Sequence, residues 1–433
     1  MSATTAVLEE PTQASIRARV LELTDGLPPS PREQPPSQGE PSLFQGEPSL
    51  SRGTLVPTER RRLARESLPS VAYLLPGLPP EGSGGSHSLV QEARGLRCLG
   101  AAARVCVPQD SLATAAAVYG NEDQLFTPYP SDSRLPGIGD VSMFEGISEA
   151  LADAAVVVAT EYPSVDLLVR LARERPELVC AYYVQDYEPL FAAPQSSRSD
   201  RALLSYRSLP GLLLFAKTHW LRNLLHAVHG LVVAKVAPSL DRGLFHAGGR
   251  SALDGELRLA AMIRPRTPRR RPAATLRALS LIARELGRGV RIATFGCDPD
   301  AFAELAPEGI PGLTHLGLLS RMQVSALMRR SDIFIDASAY QAFGRTGLEA
   351  MACGAVPLLP QLGGVHEYAV AGENALILDE GTPEQIAAAV LALAHSPARL
   401  ADMSQAGVRD ARRFSVERAA RSQLSLFAQA TAR

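Results

Sequence analysis

The sequence predicts an α/β chain of two Rossmann-like domains in series, each built on a parallel sheet and facing the other across a cleft. Three observations carry this expectation. Short apolar runs of strand length alternate with segments of helical period, the pattern of strands covered on both faces by crossover helices. The alternation closes at about residue 241 and resumes at 257. A chain of 433 residues outgrows a single core and suits two domains with additional segments.

The elements follow in order. Residues 1–67 read as a Pro-rich extension without a core of its own. The stretch 26–53 is rich in Pro, Ser, Gln and Glu, and Gln-Gly-Glu-Pro-Ser-Leu occurs at 38–43 and again at 45–50. Such a segment buries too little apolar surface to offset its ordering entropy, so disorder is expected, preceded by a helix over 7–24. Leu43, Phe44 and Leu50 leave a short docking motif as the alternative. The Arg-rich 59–65 reads as a solvated linker, with contact to anionic lipid as its alternative.

The first domain is expected over 68–241. Its strands are 70–75, 103–107, 154–160, 181–186, 211–216 and 231–233, with helices over 89–99 and 202–209. A connection follows, and the second domain spans 256–414. Its strands are 257–263, 290–295, 313–316, 332–336, 355–359 and 375–378, with helices over 273–286, 383–394 and 397–413. The remainder, 415–433, is helical and expected to pack back onto the first domain.

Composition narrows the partners. Lys plus Arg number 44 and Asp plus Glu 45, a net charge of −1, which argues against a general nucleic-acid binder. Lys217 and Lys235 are the only lysines, so nearly every cationic task falls to arginine. Cys98, Cys106, Cys180, Cys297 and Cys353 lack metal-ligand spacing, and they read as the thiols of a reduced, cytoplasmic protein. No apolar stretch reaches the roughly 18–20 residues of a membrane span. The expected location is the cytoplasm, with peripheral contact at the inner face of the cell membrane as an option.

The most informative stretch is 337–354. A buried strand leads through Gly344 and Gly347 into a helix start, so the amides of Gly344, Arg345 and Thr346 are placed to meet an anion. Glu349 stands one turn in, within reach of a ribose hydroxyl; capping its own helix is the alternative. In the second cluster, 262–271, Arg264 ends a strand and Arg269 follows. Two cations there suit a diphosphate leaving group, and a solvated basic turn is the alternative. Arg266, Arg270 and Arg271 are assigned to the surface.

Three weaker signals remain. The glycine loop 82–86 follows a strand but lacks the Gly-x-Gly-x-x-Gly spacing of a dinucleotide site, and His87 after it reads as a helix-start residue. The run 182–189 places Asp186 and Glu188 beside tyrosines, as in carbohydrate pockets. Asp186 is the candidate that receives or orients an acceptor hydroxyl, Glu188 could serve equally, and a turn-capping Asp is the plain alternative. Asp298-Pro299-Asp300 matches a metal-holding Asp-x-Asp pattern but is discounted as a loop coincidence, so no metal is assigned.

The stretch Gln341 to Glu349 resembles the donor-site signature of family 4 glycosyltransferases, a Glu-x7-Glu pattern around a Phe-Gly turn. Gln341 holds the first acid's position, Phe343 and Gly344 the turn, and Glu349 the second acid. Arg264 and Arg269 stand at the interval where that family places Arg and Lys. The run 182–189, Thr218-His219-Trp220-Leu221 and Arg345-Thr346-Gly347 resemble its rhamnosyltransferase branch, and the resemblance covers roughly 70–425.

This resemblance implies the GT-B architecture, a nucleotide-diphosphate sugar as donor substrate rather than a cofactor, and metal-independent transfer with retention. It implies that Arg264, Arg269 and the Gly344–Thr346 amides hold the diphosphate, and that Gly84 and Gly85 approach it from the opposite wall. Glu349 would hold the ribose, Phe343 the turn and Gln341 a sugar hydroxyl. With Asp186, the two arginines make up the expected catalytic set. The donor it suggests is dTDP-rhamnose, and the acceptor a growing polysaccharide or lipid-linked glycan. Two departures count against full equivalence: arginine replaces lysine at 269, and neutral Gln341 cannot stabilise positive charge as a carboxylate does. A catalytically silent GT-B scaffold and a sugar-nucleotide epimerase of the same fold stay open as alternatives.

Overall fold

The computed structural model describes residues 10–24, 68–79, 83–122, 124–130, 141–248, 255–306 and 308–432. The hexapeptide repeat, the docking-motif residues, the Arg-rich 59–65 and Gly82 lie outside the described residues.

Helix α1 (Gln13–Thr24) precedes the first domain. That domain runs β1 (Val71–Leu74), α2 (Gly84–Cys98), β2 (Ala103–Pro108), α3 (Leu112–Tyr119), β3 (Phe126–Tyr129), α4 (Val141–Ala150) and β4 (Val156–Ala159). It continues through α5 (Tyr162–Glu174), β5 (Val179–Tyr183), α6 (Ser197–Ser205), β6 (Leu213–Ala216), α7 (His219–His229) and β7 (Ala234–Lys235). The second domain opens with β8 (Leu257–Met262), α8 (Pro272–Leu286), β9 (Val290–Phe295), α9 (Pro299–Leu305), β10 (Leu313–His315), α10 (Arg321–Arg330) and β11 (Ile333–Ile335). It ends with α11 (Arg345–Ala352), β12 (Val356–Pro360), β13 (Leu376–Leu378), α12 (Pro383–Ala394) and α13 (Pro397–Ala411), and α14 (Val416–Thr431) follows.

The strands form two sheets, in the orders β3-β2-β1-β4-β5-β6-β7 and β10-β9-β8-β11-β12-β13. Every strand pair is parallel: Val71 sits between Ala103 and Val156, and Leu259 between Ile292 and Ile333. Each sheet has an apolar layer on both faces, one holding Ala72, Val157 and Tyr182 and the other Val71, Val156 and Tyr183 in the first domain. This is why strands such as Val156–Ala159 read as unbroken apolar runs. In each sheet the strand order reverses between the first and fourth strands, β1/β4 and β8/β11. A crevice therefore opens at their carboxyl ends. No helix among the described residues is long and apolar enough to cross a membrane.

Helix α14 returns to the first domain and packs along α2. The contact is close: a Cβ added at Gly95 would stand 2.8 Å from the Ala420 methyl. Gln423 Nε2 donates to the buried Glu92 carboxylate at 2.6 Å, and Ala237 N donates to Ser422 Oγ at 2.9 Å.

Three expectations are corrected. Residues 13–24 belong to the folded body rather than to a disordered extension, because α1 bridges both domains. Glu10 accepts from Ala273 N (2.6 Å) and Ala274 N (3.1 Å), the first amides of α8, whose own cap residue Arg271 supplies no side-chain bond. Gln13 donates to Leu378 O at 3.0 Å and accepts from Leu362 N at 3.1 Å. On the other domain Ile16 enters the core, and Arg19 donates to Pro189 O (2.6 Å) and Ala192 O (2.7 Å).

The strand expected over 231–233 forms instead at Ala234–Lys235. Gly230 ends α7 in the left-handed region (φ 62°) and leaves Val232 exposed, so pairing starts only opposite Phe215. The helix expected from 89 begins at Gly84, because Ser83 and Ser86 form a reciprocal capping box five residues earlier than the apolar period shows.

Candidate active site

Both switch points carry the residues singled out in the sequence. After β11 the chain reaches Asp336, passes Gln341 and turns at Gly344 into α11. Gly344 has φ 75°, a conformation open to glycine at little cost, and a Cβ there would stand 2.7 Å from the Tyr368 hydroxyl. Tyr368 OH donates to Gly344 O at 2.6 Å and its ring meets Phe343 edge-on. The turn is thus fixed from behind. Gly344 caps α11 without a side-chain acceptor, so the first amides of the helix are left for an anion.

A cleft lies in front of this turn. Arg345, Thr346 and Glu349 form one wall, Arg264 and Arg270 another, and Ser83, Gly84 and His87 of the first domain face them. Arg321 also lines it. Four guanidinium groups line the cleft; Arg345 is paired with Glu349, Arg270 with Asp336 and Arg321 with Asp241, and their converging donors suit an anionic ligand. Glu349 is buried and accepts from Arg345 Nε at 2.7 Å. His87 is neutral: burial, then Arg345, Arg321 and Arg264, push it down to about 2. Its Nδ1 lies 2.9 Å from Tyr119 OH.

The structure separates the two arginines assigned to the diphosphate. Arg264 lines the cleft. Arg269 turns away to Asp186 (3.3 Å), its guanidinium stacked over Phe191 (4.9 Å) and Tyr340 (5.3 Å). Arg270, assigned to the surface from sequence, takes the place beside Arg264 and pairs with Asp336 at 3.6 Å. The assignment of Arg271 to the surface also fails. It is buried, with φ 50°, and its Nη1 donates to Ala337 O and Gly381 O. The reason is the short helical turn at 268–270, which rotates consecutive arginines to different walls; linear spacing cannot register this.

Gln341 is buried under the turn. Its Nε2 donates to Asp336 Oδ2 (2.5 Å) and Ser338 Oγ (3.2 Å), and its backbone bridges to Gly363. Neither Gln341 nor Phe343 belongs to the cleft wall. Gly85 lies one step behind Gly84, against the Gln185 side chain. Asp186, in the turn after β5, is held by Tyr187 N and Arg269, and burial raises its pKa against the pull of Arg269. Glu188 is a structural acid. It accepts from Tyr182 OH (2.6 Å) and Tyr162 N (2.9 Å), and burial pushes it up to about 8. Asp298 caps α9 through Ala301 N at 2.9 Å.

The sequence reading missed Lys217 and Arg321. Lys217 is buried where β6 ends, and one signal was available, since it is one of two lysines in an arginine-rich chain.

The two facing domains, with switch points meeting at one cleft, form the GT-B fold. Residues 267–410 match the family model of glycosyl transferases group 1. A D-inositol 3-phosphate glycosyltransferase of Rhodococcus opacus is 31% identical over 212 residues, covering 45% of this chain and 48% of that protein. The O-antigen biosynthesis protein RfbC of Myxococcus xanthus is 32% identical over 210 residues, 48% of this chain and 16% of that protein. The chain thus matches at most about half the length of these curated relatives. Anabaena Alr3699/HepE, solved with UDP and glucose, superposes with a TM-score of 0.69 at 14% identity, covering 83% of this chain and all of that one. WaaG, a glycosyltransferase involved in lipopolysaccharide biosynthesis, gives 0.62 at 15% identity over 82% and 99%. At such identities the superpositions establish the fold.

Proposed function

We propose that this chain is a GT-B glycosyltransferase that takes its sugar from a nucleoside diphosphate. The observation that carries the proposal is the placement of Arg264 and Arg270 across the cleft from Thr346 and Glu349 at the start of α11. When the bond between the sugar and the diphosphate breaks, negative charge grows on the leaving phosphate. Preorganised cations and free helix amides stabilise that charge more than they stabilise the ground state. Glu349, one turn into α11, holds the ribose. Asp186 orients the acceptor hydroxyl, and Arg269 beside it keeps its carboxylate in place. HepE, of the same fold, binds UDP and UDP-glucose, which supports a nucleotide-sugar donor here.

The finer reading is transfer with retention, rhamnose from its dTDP derivative, and a polysaccharide or lipid-linked glycan as acceptor. The resemblance of the Arg345-Thr346-Gly347 run to rhamnosyltransferases supports the donor, and the similarity to RfbC, an O-antigen biosynthesis protein, supports a polysaccharide acceptor. The test is a thermal-shift titration with UDP, dTDP and GDP, and with their sugar derivatives, on wild type and Glu349→Ala. One nucleoside diphosphate should stabilise the wild type, with the shift largely lost in the variant. No shift with any of them would remove the proposal and leave the silent-scaffold alternative.

A further inference from the structure

Lys217 stands outside everything assigned so far. It is 4 % exposed, it follows the last residue of β6, and among the described residues no carboxylate lies within ion-pair distance of it. Its Nζ donates to Ser88 Oγ at 3.1 Å and lies over the rings of Tyr183 (5.3 Å) and Phe343 (5.5 Å). The same Ser88 Oγ accepts from Arg345 Nη1 at 2.9 Å and gives its own proton to Gly84 O at 3.1 Å. Two cations, one from each domain, therefore converge on a single neutral oxygen. Arg345 is neutralised by Glu349 at 2.7 Å, but the shared hydroxyl does not neutralise Lys217, which keeps a buried charge without an ion-pair partner. The arrangement has the shape of an anion site without its anion. It lies directly behind Gly84 and Arg345, which line the cleft, and next to Phe343, which leads into the Gly344 turn.

We propose that Lys217 is a further diphosphate-binding residue, a cation delivered from the acceptor-side domain onto the phosphates held by the Gly344 turn. The proposal rests on the donor reading above and deepens it. Because Lys217 belongs to one domain and the turn to the other, the anion ties the two domains together, and the site is complete only when they are closed. The groups facing the ammonium are Glu92 and Ser88 on α2, Tyr183 and Asp186 from β5 and its following turn, and Phe343 and Arg345 from the donor turn and α11. Burial, opposed by Glu92 and reinforced by Arg345, brings the free ammonium down to about 8. An arriving diphosphate favours its charged form, so diphosphate affinity is full below that pH and falls as pH rises through and beyond it.

The test compares wild type with Lys217→Met, of similar length and uncharged, and Lys217→Arg, using pyrophosphate and the nucleoside diphosphate as probes in calorimetric titration. The Met variant should melt at or above the wild-type temperature without ligand, because an unpaired buried cation has been removed. It should bind pyrophosphate at least tenfold more weakly, the scale of one charge-assisted contact, and lose the fall in affinity above pH 8. The Arg variant should retain the affinity and shift that fall to higher pH. Pyrophosphate binding unchanged in Lys217→Met, or a free Met variant that melts well below wild type, overturns the proposal, as does a wild type that binds no pyrophosphate. Wild type that binds pyrophosphate but no nucleotide would remove the donor reading and leave the anion site standing.

Discussion

Helix α1 offers the sharpest test of how the two domains are held. Gln13→Ala removes an amide that serves two backbone groups. Leu378 O keeps Gln361 N as a donor at 2.9 Å, but the half-buried Leu362 N loses its partner, which costs at most about 1–3 kcal/mol. Ile16→Ala empties a position that is 5% exposed in the first-domain core, a change of about 2–5 kcal/mol were the helix to stay docked. It need not stay: either loss is limited by the docking free energy of α1 itself, and the two effects are not additive because they draw on the same docking. The expected result is local rather than global. Hydrogen exchange at the amides of 16–20 should accelerate roughly tenfold to a hundredfold in either variant. Protection in the β1 and β8 strands should hold. Exposed Arg17, paired with Asp379 at the surface, is the control, and Arg17→Ala should change little. Equal exchange rates in wild type and both variants would refute the reasoning.

Two further outcomes follow from the site. Arg270→Ala should weaken nucleoside diphosphate binding about tenfold to a hundredfold, while Arg266→Ala, on the exposed side of the same turn, should leave it unchanged; titration calorimetry distinguishes them. Glu188 has a folded pKa of about 8, above its unfolded value. Its contribution to stability is therefore full below the unfolded carboxylate pKa and is lost as pH rises through about 8. Urea melts across that window should show this loss in wild type and a flatter profile in Glu188→Gln.

The strand–helix alternation was legible because parallel strands are buried on both faces. Val156–Ala159 and Val290–Phe295 announce themselves by composition, whereas Phe126–Tyr129 does not. It holds Pro128, which an edge strand tolerates, and it is only half-buried along most of its length. The glycine turn at 344 was legible for a related reason, since a left-handed residue before a helix leaves a mark on the sequence. Helix α1 falls within the helix expected over 7–24, but its docking was not legible, because polar groups that read the backbone of distant segments make much of it.

The sequence by itself determined the two α/β domains, the Gly344 turn with Glu349 behind it, and arginine as the carrier of nearly every positive charge. These are properties of local conformation and composition, each encoded within a few neighbouring residues. Only the tertiary structure decided which arginine faces the cleft, because one short helical turn separates the directions of Arg264 and Arg270 from that of Arg269. It alone brought Lys217 and Arg345 to the same serine hydroxyl. The oxygen belongs to position 88 and the charges beside it to positions 217 and 345, and no local rule relates residues so far apart in the chain.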